Sequence, residues 1–273
     1  MRSIDELFDA INCEGAINCE CTIDRERGGR LDDQKMVAAA AVQGILRWID
    51  VLDFKEPSRG PLAPCTPTVW RSANDWARAV RSSAPSQRMH QPLLSAALGD
   101  GEPALAIAAE VPPGFEFAKA GPSESEPLTA FWRRFSGVLP STVRAVAVAY
   151  ADAASGSPAD PAVVFPSLVG SAVRHALIDT RIKNGESLLQ KIAWPVLDEH
   201  VEFCRRHHIK LSLAGSIGAC QMTTLSKRYG DAVAMYGFRG AVCDGVRTGR
   251  LDAEKIRTLG QRLQTMHPPT KTV

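Results

Sequence analysis

The chain has 273 residues, of which 45% are hydrophobic and 23% are charged, so its length and composition fit one folded α/β barrel. A formal net charge of only +2, with no long basic run, argues against nucleic-acid binding. The sequence has no apolar run long enough to cross a bilayer, and its acidic start argues against a secretory signal. Seven cysteines without disulfide-framework spacing complete the prediction of a soluble, cytoplasmic protein.

Residues 1–33 differ in pattern from the rest of the chain. They contain the tripeptide Asn-Cys-Glu twice, followed by a charged stretch, and they show no alternating apolar pattern. Cys13, Cys19 and Cys21 are potential ligands for a soft metal ion, but no histidine or cysteine pair follows at zinc-site spacing. We therefore expect a mobile N-terminal leader with free thiols and no metal site.

From residue 34 to residue 273, β-rich runs alternate with amphipathic stretches of helical length. This alternation predicts a parallel sheet with helical crossovers. The predicted strands are residues 49–54, 93–98, 115–120, 143–150, 176–180, 209–214 and 232–238. The predicted helices are residues 36–46, 68–80, 127–135, 161–173, 193–207, 219–229 and 253–266. Because a TIM-type (β/α)8 barrel has eight strands, we expect such a barrel with an atypical or missing first strand.

Ionisable side chains stand at the C-terminal ends of three predicted strands, where barrel enzymes place their active sites. Asp53 and Lys55 share one strand face, because side chains two residues apart point the same way. Lys119 ends an aromatic strand, and Asp179 closes an apolar strand with Lys183 four residues later. The alternatives are a surface ion pair at the first site, a lysine reaching solvent at the second, and a helix cap beside a solvated lysine at the third.

Two glycine-containing turns are candidate phosphate sites. Gly215 and Ser216 follow a strand and precede a helix, so backbone N–H groups and a helix N-terminus are available to an anion. Arg239 and Gly240 follow the last strand, in the region where barrel phosphate sites often lie. Arg239 adds a guanidinium donor. Two such turns on adjacent strands indicate a phosphate site more specifically than either turn alone.

These groups together suit a phosphorylated carbonyl substrate. A lysine attacks a carbonyl as the neutral amine. With a reference pKa near 10.4, roughly one lysine side chain in a thousand is this neutral amine at neutral pH. A cluster of Lys55, Lys119 and Lys183 would favour the neutral amine of one member through charge repulsion, while Asp53 and Asp179 would shuttle protons. Metal hydrolysis is not expected, since no metal-ligand spacing occurs at these strand ends, and the histidines are expected at the surface.

Seven short motifs of this chain are similar, in the same order, to those of the (5-formylfuran-3-yl)methyl phosphate synthase family. The resemblance covers about residue 34 to the end. The motifs are Asp53-Phe54-Lys55-Glu56-Pro57 with Gly60, Ser95-Ala96-Ala97-Leu98-Gly99-Asp100, Lys119-Ala120-Gly121, Ala149-Tyr150-Ala151-Asp152, Asp179-Thr180-Arg181-Ile182-Lys183-Asn184-Gly185, Leu213-Ala214-Gly215-Ser216 and Arg239-Gly240-Ala241-Val242-Cys243.

The resemblance implies a lyase of the class I aldolase type that needs no cofactor or metal. The family condenses two molecules of glyceraldehyde 3-phosphate into a phosphorylated furancarboxaldehyde, the furan precursor of the one-carbon carrier methanofuran. By motif position, Lys55 forms the Schiff base, Lys119 accepts the proton, and Asp53, Asp179 and Lys183 assist proton transfer and dehydration. The likeness supports the placement of the phosphate-site candidates, whereas their role is inferred from their chemistry.

The chain departs from the family pattern in three places. The first strand has no clear counterpart, residues 48–52 lack the usual Gly-Gly, and the segment between Asp100 and Phe115 is short for a barrel helix with its loops. Two alternative functions stay open: another Schiff-base aldolase for a phosphorylated sugar, and a non-catalytic barrel that binds a phosphorylated metabolite or a partner enzyme. The sequence is also compatible with a homo-oligomer.

Overall fold

The computed structural model describes the backbone of residues 51–54, 93–243 and 252–266, and the side chains of residues 93–243, 252 and 254–262. The predicted leader (residues 1–33), the predicted helices 36–46 and 68–80, and Lys55 lie outside the described residues. Asp53 is described by its backbone alone.

Within the described residues, seven strands form one parallel sheet in which each strand pairs with the next one along the chain. They are β1 (Val51–Phe54), β2 (Leu93–Asp100), β3 (Phe117–Gly121), β4 (Arg144–Tyr150), β5 (His175–Asp179), β6 (Lys210–Leu213) and β7 (Val233–Tyr236). All seven predicted strands are confirmed, and so is the parallel α/β class. Because the strands are parallel, their C-terminal ends meet at one edge of the sheet, which we call the C-terminal edge.

Helices connect successive strands. The described helices are α1 (Gly101–Ala108), α2 (Leu128–Val138), α3 (Pro161–Leu168), α4 (Leu188–Lys191), α5 (Trp194–Arg206), α6 (Ala219–Tyr229) and α7 (Ala253–Met266). Helix α3 begins where the sequence favours it, since Pro161 suits the first turn and the Asp160 carboxylate accepts the Ala162 N–H at 2.9 Å. Helix α1 lies in the segment between Asp100 and Phe115, which is short for a barrel helix with its loops. No helix in the described part of the chain has the length and apolarity of a membrane span.

The described helices pack against a sheet face that is rich in alanine. Small side chains on this face leave room for large aromatic side chains from the helices, so the two layers interdigitate. The alanines are Ala96, Ala118, Ala120, Ala145, Ala147, Ala149 and Ala176. Opposite them lie the fully buried rings of Phe131, Trp132, Phe135 and Phe165. The indole N–H of Trp132 donates to the Ser167 hydroxyl at 2.9 Å, which satisfies its one polar group.

The other face of the sheet, here called the inner face, carries a second apolar cluster. Its buried members are Phe117, Val146, Val148, Tyr150, Ala159 and Leu177. Since side chains alternate between the faces of a strand, Lys119 lies on the inner face with Phe117, and Asp179 lies there with Leu177. The candidate catalytic side chains of β3 and β5 therefore share one face.

Two histidines that the sequence placed at the surface are packed into the protein. His200 on α5 is 8% exposed, and burial lowers its pKa. The His175 ring packs edge-on against Phe117 at 5.3 Å between ring centroids. Burial, followed by the charges of Lys210 and Arg144, lowers the pKa of His175 to about 4. The surface prediction was wrong for His200, because a neutral imidazole behaves as a flat, largely apolar ring, whereas His175 is half-buried.

Candidate active site

Asp179 and Lys183 form an ion pair at the C-terminal end of β5. The Lys183 Nζ donates to Asp179 Oδ1 at 2.7 Å and to the Thr180 hydroxyl at 3.2 Å. The Thr180 backbone N–H donates to the same carboxylate oxygen at 2.8 Å. The side chains of the lysine and the aspartate are only 10% and 12% exposed. The alternative of a solvated Lys183 is therefore wrong, and the sequence correctly placed a lysine and an acid together at this strand end.

Gly215 lets the next loop close against this ion pair. Its φ of +100° lies in the left-handed region, and a Cβ built on it would stand 2.9 Å from Thr180 Cγ2. The carbonyl of Gly215 accepts the Leu188 N–H at 2.7 Å, which joins the turn to α4. A larger residue at this position would displace Thr180, so Gly215 has a packing role whatever it binds.

The two candidate phosphate turns lie at neighbouring strand ends. The Gly237 N–H, just after β7, donates to the Leu213 carbonyl at the end of β6 at 2.8 Å. A Cβ on Gly237 would lie 3.0 Å from that of Ala214, so the two turns run in close contact. Ser216 and Arg239 are half-buried, and Gly240 opens a 3₁₀ turn, Gly240–Val242. The predicted proximity of the two turns is confirmed, whereas their phosphate-binding role stays a prediction.

Lys119 lies in the middle of the sheet. In the strand register it stands between Ala97 of β2 and Val146 of β4, and its residue is half-buried. On β1, the backbone of Asp53 pairs with Ser95, and Phe54 pairs with Ala96. The two neighbours of Lys119 in the adjacent strands, Ala97 and Val146, are small or apolar.

A polar cluster that the sequence did not assign spans the C-terminal edge from β2 to the loop after β5. The Tyr150 hydroxyl donates to Asp100 Oδ1 at 2.7 Å, and the Arg181 Nη2 donates to Asp100 Oδ2 at 2.9 Å. The Arg181 guanidinium carbon lies 4.6 Å from the centroid of the Tyr150 ring. Burial, followed by the Asp100 carboxylate, raises the pKa of Tyr150 well above its usual range, so this phenol keeps its proton. We call Asp100, Tyr150 and Arg181 the edge triad.

Asp152 fixes the loop that carries Arg181 and Lys183. Its two carboxylate oxygens accept the backbone N–H groups of Arg181 and Ile182, each at 2.7 Å. A carboxylate that accepts two successive N–H groups holds the chain direction at that point. The loop can therefore send Arg181 to the edge triad and Lys183 back to Asp179. No group of three or more histidine, cysteine, aspartate or glutamate side chains within the described segments could hold a metal ion.

Gly121 allows the edge triad to form. It lies on β3 opposite Asp100, and a Cβ built on it would overlap Asp100 Oδ1. The Asp100 carboxylate thus passes over the backbone of β3 to reach Tyr150 on β4. This role of Gly121 could not be predicted from the sequence, since a glycine after a strand is typical of many turns.

Gly121→Ala is therefore expected to separate Asp100 from Tyr150. The buried phenol would lose its acceptor, and we expect a loss of about 1–3 kcal/mol in the free energy of unfolding. Urea denaturation measures this loss. Gly137→Ala is the matched control, because a Cβ at Gly137 on α2 meets no atom within 4 Å. Equal free energies of unfolding for Gly121→Ala and the native chain would show that the Asp100–Tyr150 hydrogen bond does not depend on the missing side chain at position 121.

Comparison with known proteins identifies the family. The family model for 4-HFC-P synthase matches residues 36–260. The (5-formylfuran-3-yl)methyl phosphate synthase of Methanothermobacter thermautotrophicus is 29% identical over 241 residues, covering 82% of this chain and 94% of that protein. The enzyme of that name from Methanococcus maripaludis strain C5 is 28% identical over 238 residues, covering 81% and 93%. A relative from Methylorubrum extorquens, which carries the name provisionally, is 33% identical over 199 residues, covering 71% and 74%.

Among solved structures, phosphoribosyl anthranilate isomerase from Thermus thermophilus aligns with a TM-score of 0.48 and 16% identity, covering 83% of this chain and 94% of that one. A likeness this weak supports no argument about mechanism or barrel closure. The family match rests instead on sequence, over a region that includes every candidate site residue from Asp53 to Gly240. The chain belongs to the 4-HFC-P synthase family and is an enzyme of that kind.

Proposed function

We propose that this protein condenses two molecules of glyceraldehyde 3-phosphate into (5-formylfuran-3-yl)methyl phosphate, the furan precursor of methanofuran, through a Schiff base on Lys55. The observation that carries the proposal is the position of Lys119 and of the Asp179–Lys183 ion pair on the inner face of one parallel sheet. A basic group and a fixed acid–lysine pair at the C-terminal side of the strands suit carbonyl chemistry.

Covalent connectivity supports a place for Lys55 near Lys119. Lys55 follows Phe54, whose partner in β2 is Ala96, and consecutive Cα atoms lie about 3.8 Å apart. The next residue of β2, Ala97, has Lys119 as its partner on the other side. Lys55 therefore follows a residue whose partner in β2, Ala96, is next to Ala97, the partner of Lys119. In this proposal the ammonium of Lys119 repels that of Lys55, so that Lys55 is available as the neutral amine.

The proposed chemistry starts with attack of the Lys55 amine on the aldehyde of the first triose phosphate, which forms an imine and releases water. Lys119 gives its proton to the hydroxyl that leaves as this water and becomes a neutral amine. The iminium withdraws electrons, so the Lys119 amine can then remove a proton from the neighbouring carbon. The enamine then forms a carbon–carbon bond to the aldehyde of the second triose phosphate. After ring closure and release from the lysine, the two substrates have lost one inorganic phosphate and two water molecules, with no oxidant or reductant required.

Asp179 and Lys183 would serve the eliminations that make the ring aromatic. The Lys183 Nζ donates to Asp179 Oδ1 at 2.7 Å, so an ammonium is in place to protonate a departing hydroxyl group. The Asp179 carboxylate can take the proton that the substrate carbon loses in the same elimination and pass it to Lys183. In the same proposal Asp53 assists proton transfer beside Lys55. The phosphate of one substrate would bind at the turns that carry Gly215, Ser216, Arg239 and Gly240.

The strand order also supports a closed barrel. A sheet whose parallel strands follow one another in sequence order curls in one direction and keeps its right-handed crossovers on one face. We propose that residues 34–273 form a TIM-type (β/α)8 barrel in the cytoplasm, preceded by a leader of residues 1–33. The mouth of that barrel would be the C-terminal edge.

The test is product analysis after incubation with glyceraldehyde 3-phosphate alone. We expect the mass of the phosphorylated furancarboxaldehyde, with one phosphate released for each product molecule, and no product from Lys55→Ala. Lys227→Ala, on the exposed end of α6, is the control and should keep full activity. A different carbon skeleton would indicate another Schiff-base aldolase, and an unchanged substrate in the presence of folded protein would contradict the proposal.

A further inference from the structure

We propose that Arg181 binds the phosphate group of the second triose phosphate, and that Asp100, Tyr150 and Asp152 are its positioning residues. This inference rests on the proposed function, because it assigns a place to the second of the two substrates. No role for Arg181 followed from its position in the sequence, since it lies between the Asp179 and Lys183 that the sequence singled out.

The stoichiometry of the reaction requires two phosphate sites. Both substrates carry a phosphate, and each must be held while the new carbon–carbon bond forms. The touching turns after β6 and β7 form one candidate site. A second site should lie further round the C-terminal edge, with a cation that can form paired hydrogen bonds to phosphate oxygens. Arg181 lies in the loop after β5, at the C-terminal edge, and its guanidinium can form such paired hydrogen bonds.

Arg181 is held on three sides before any ligand arrives. Its Nη2 donates to Asp100 at 2.9 Å, its guanidinium lies over the Tyr150 ring, and its backbone N–H donates to Asp152 at 2.7 Å. A long side chain that is already fixed loses little conformational entropy on binding. A surface arginine that merely balances charge would not need three separate supports.

Part of the Arg181 guanidinium is accessible to a ligand. Its side chain is 37% exposed, and its Nη1 makes no hydrogen bond to any residue that the structure describes. Its Nε is buried and likewise has no partner among these residues, an arrangement that native proteins seldom leave without a purpose. Each carboxylate oxygen of Asp100 already accepts one hydrogen bond, Oδ1 from the Tyr150 hydroxyl and Oδ2 from Arg181 Nη2. Asp100 therefore holds the Nη2 side of the guanidinium and leaves the Nη1 side to a ligand.

The charges around Arg181 favour an anion at this position. Lys183 lies two residues along in the loop that Asp152 fixes, and Lys119 lies on the inner face below. Asp100 offsets part of the charge on Arg181, and Asp179 pairs with Lys183 at 2.7 Å, so a phosphate dianion would gain mainly from the Nη1 side of the guanidinium. The anchored phosphate would direct the aldehyde of the second triose toward the enamine on Lys55.

The first test is equilibrium dialysis with radiolabelled inorganic phosphate, which does not depend on catalysis. We expect two phosphates per native chain and one per Arg181→Gln chain. Arg205→Gln is the matched control, since Arg205 is an ion-paired arginine on the outer helix α5. Equal phosphate binding by Arg181→Gln and the native protein would overturn the inference, as would a native chain that binds one phosphate or none.

The second test separates substrate binding from a structural role. For Arg181→Gln we expect the KM for glyceraldehyde 3-phosphate to rise at least about tenfold, the loss typical of hydrogen bonds to a charged group, with kcat falling less. Arg181→Lys should recover part of the loss, because it keeps the charge without the planar fork. A lower kcat with an unchanged KM would assign Arg181 a structural role only. If the native protein binds two phosphates but forms no furan, the proposed function fails while the phosphate site stands.

Discussion

Lys119→Met is expected to lower the rate of furan formation by about 10²–10⁴-fold, the usual contribution of a positioned acid or base. Methionine is similar in length to lysine and apolar, so it suits a position between Ala97 and Val146 on the inner face. We therefore expect the folded structure to persist. The imine on Lys55 should form more slowly, because without the Lys119 charge a larger fraction of Lys55 stays protonated.

The measurement is a steady-state assay of furan product, combined with circular dichroism to confirm the fold. Lys210→Met is the control, since Lys210 stands exposed at the opposite end of β6, away from the C-terminal edge. A Lys119→Met protein that keeps a tenth or more of the native rate would exclude Lys119 as the proton acceptor.

Asp179→Ala is expected to lower the free energy of unfolding by about 3–5 kcal/mol, the usual effect of removing one partner of a buried ion pair. The Lys183 side chain is 10% exposed, so its ammonium would remain largely out of water, with the Thr180 hydroxyl as its one remaining partner among the residues that the structure describes. The Thr180 backbone N–H would lose its acceptor as well. Urea unfolding followed by tryptophan fluorescence gives the loss directly.

The double variant Asp179→Ala with Lys183→Met separates stability from catalysis. It removes both charges, so most of the lost stability should return. Furan formation should stay low, because the group proposed to protonate the departing hydroxyl is gone. Recovery of activity together with stability would mean that the ion pair only supports the fold.

Much of the architecture could be predicted from the sequence, because the strands of a buried parallel sheet are short apolar runs between turn residues. All seven predicted strands appear in the sheet, and Asp179 and Lys183 both lie at the C-terminal end of β5 as expected, although their ion pair was not predicted. The alternation rule also placed Lys119 on the same face as Phe117. The predictions for Asp53 and Lys55 concern side chains outside the described residues and stay predictions.

The edge triad could not be predicted, because its members come from three separate segments and none has a local signature. Asp100, Tyr150 and Arg181 each occur in a motif that supported the family resemblance, yet nothing in the spacing says that they meet. Their meeting depends on Gly121, whose missing side chain opens the passage for Asp100. Long-range contacts of this kind follow from the strand order and register, which only the folded structure provides.

The proposed reaction depends on Lys55 acting as a nucleophile toward an aldehyde. Borohydride reduction in the presence of glyceraldehyde 3-phosphate traps such an imine, and proteolysis with mass spectrometry locates it. We expect one reduced adduct, on Lys55, that is absent from Lys55→Ala. An adduct spread over exposed lysines such as Lys210 and Lys227, or no adduct on folded protein, would contradict it.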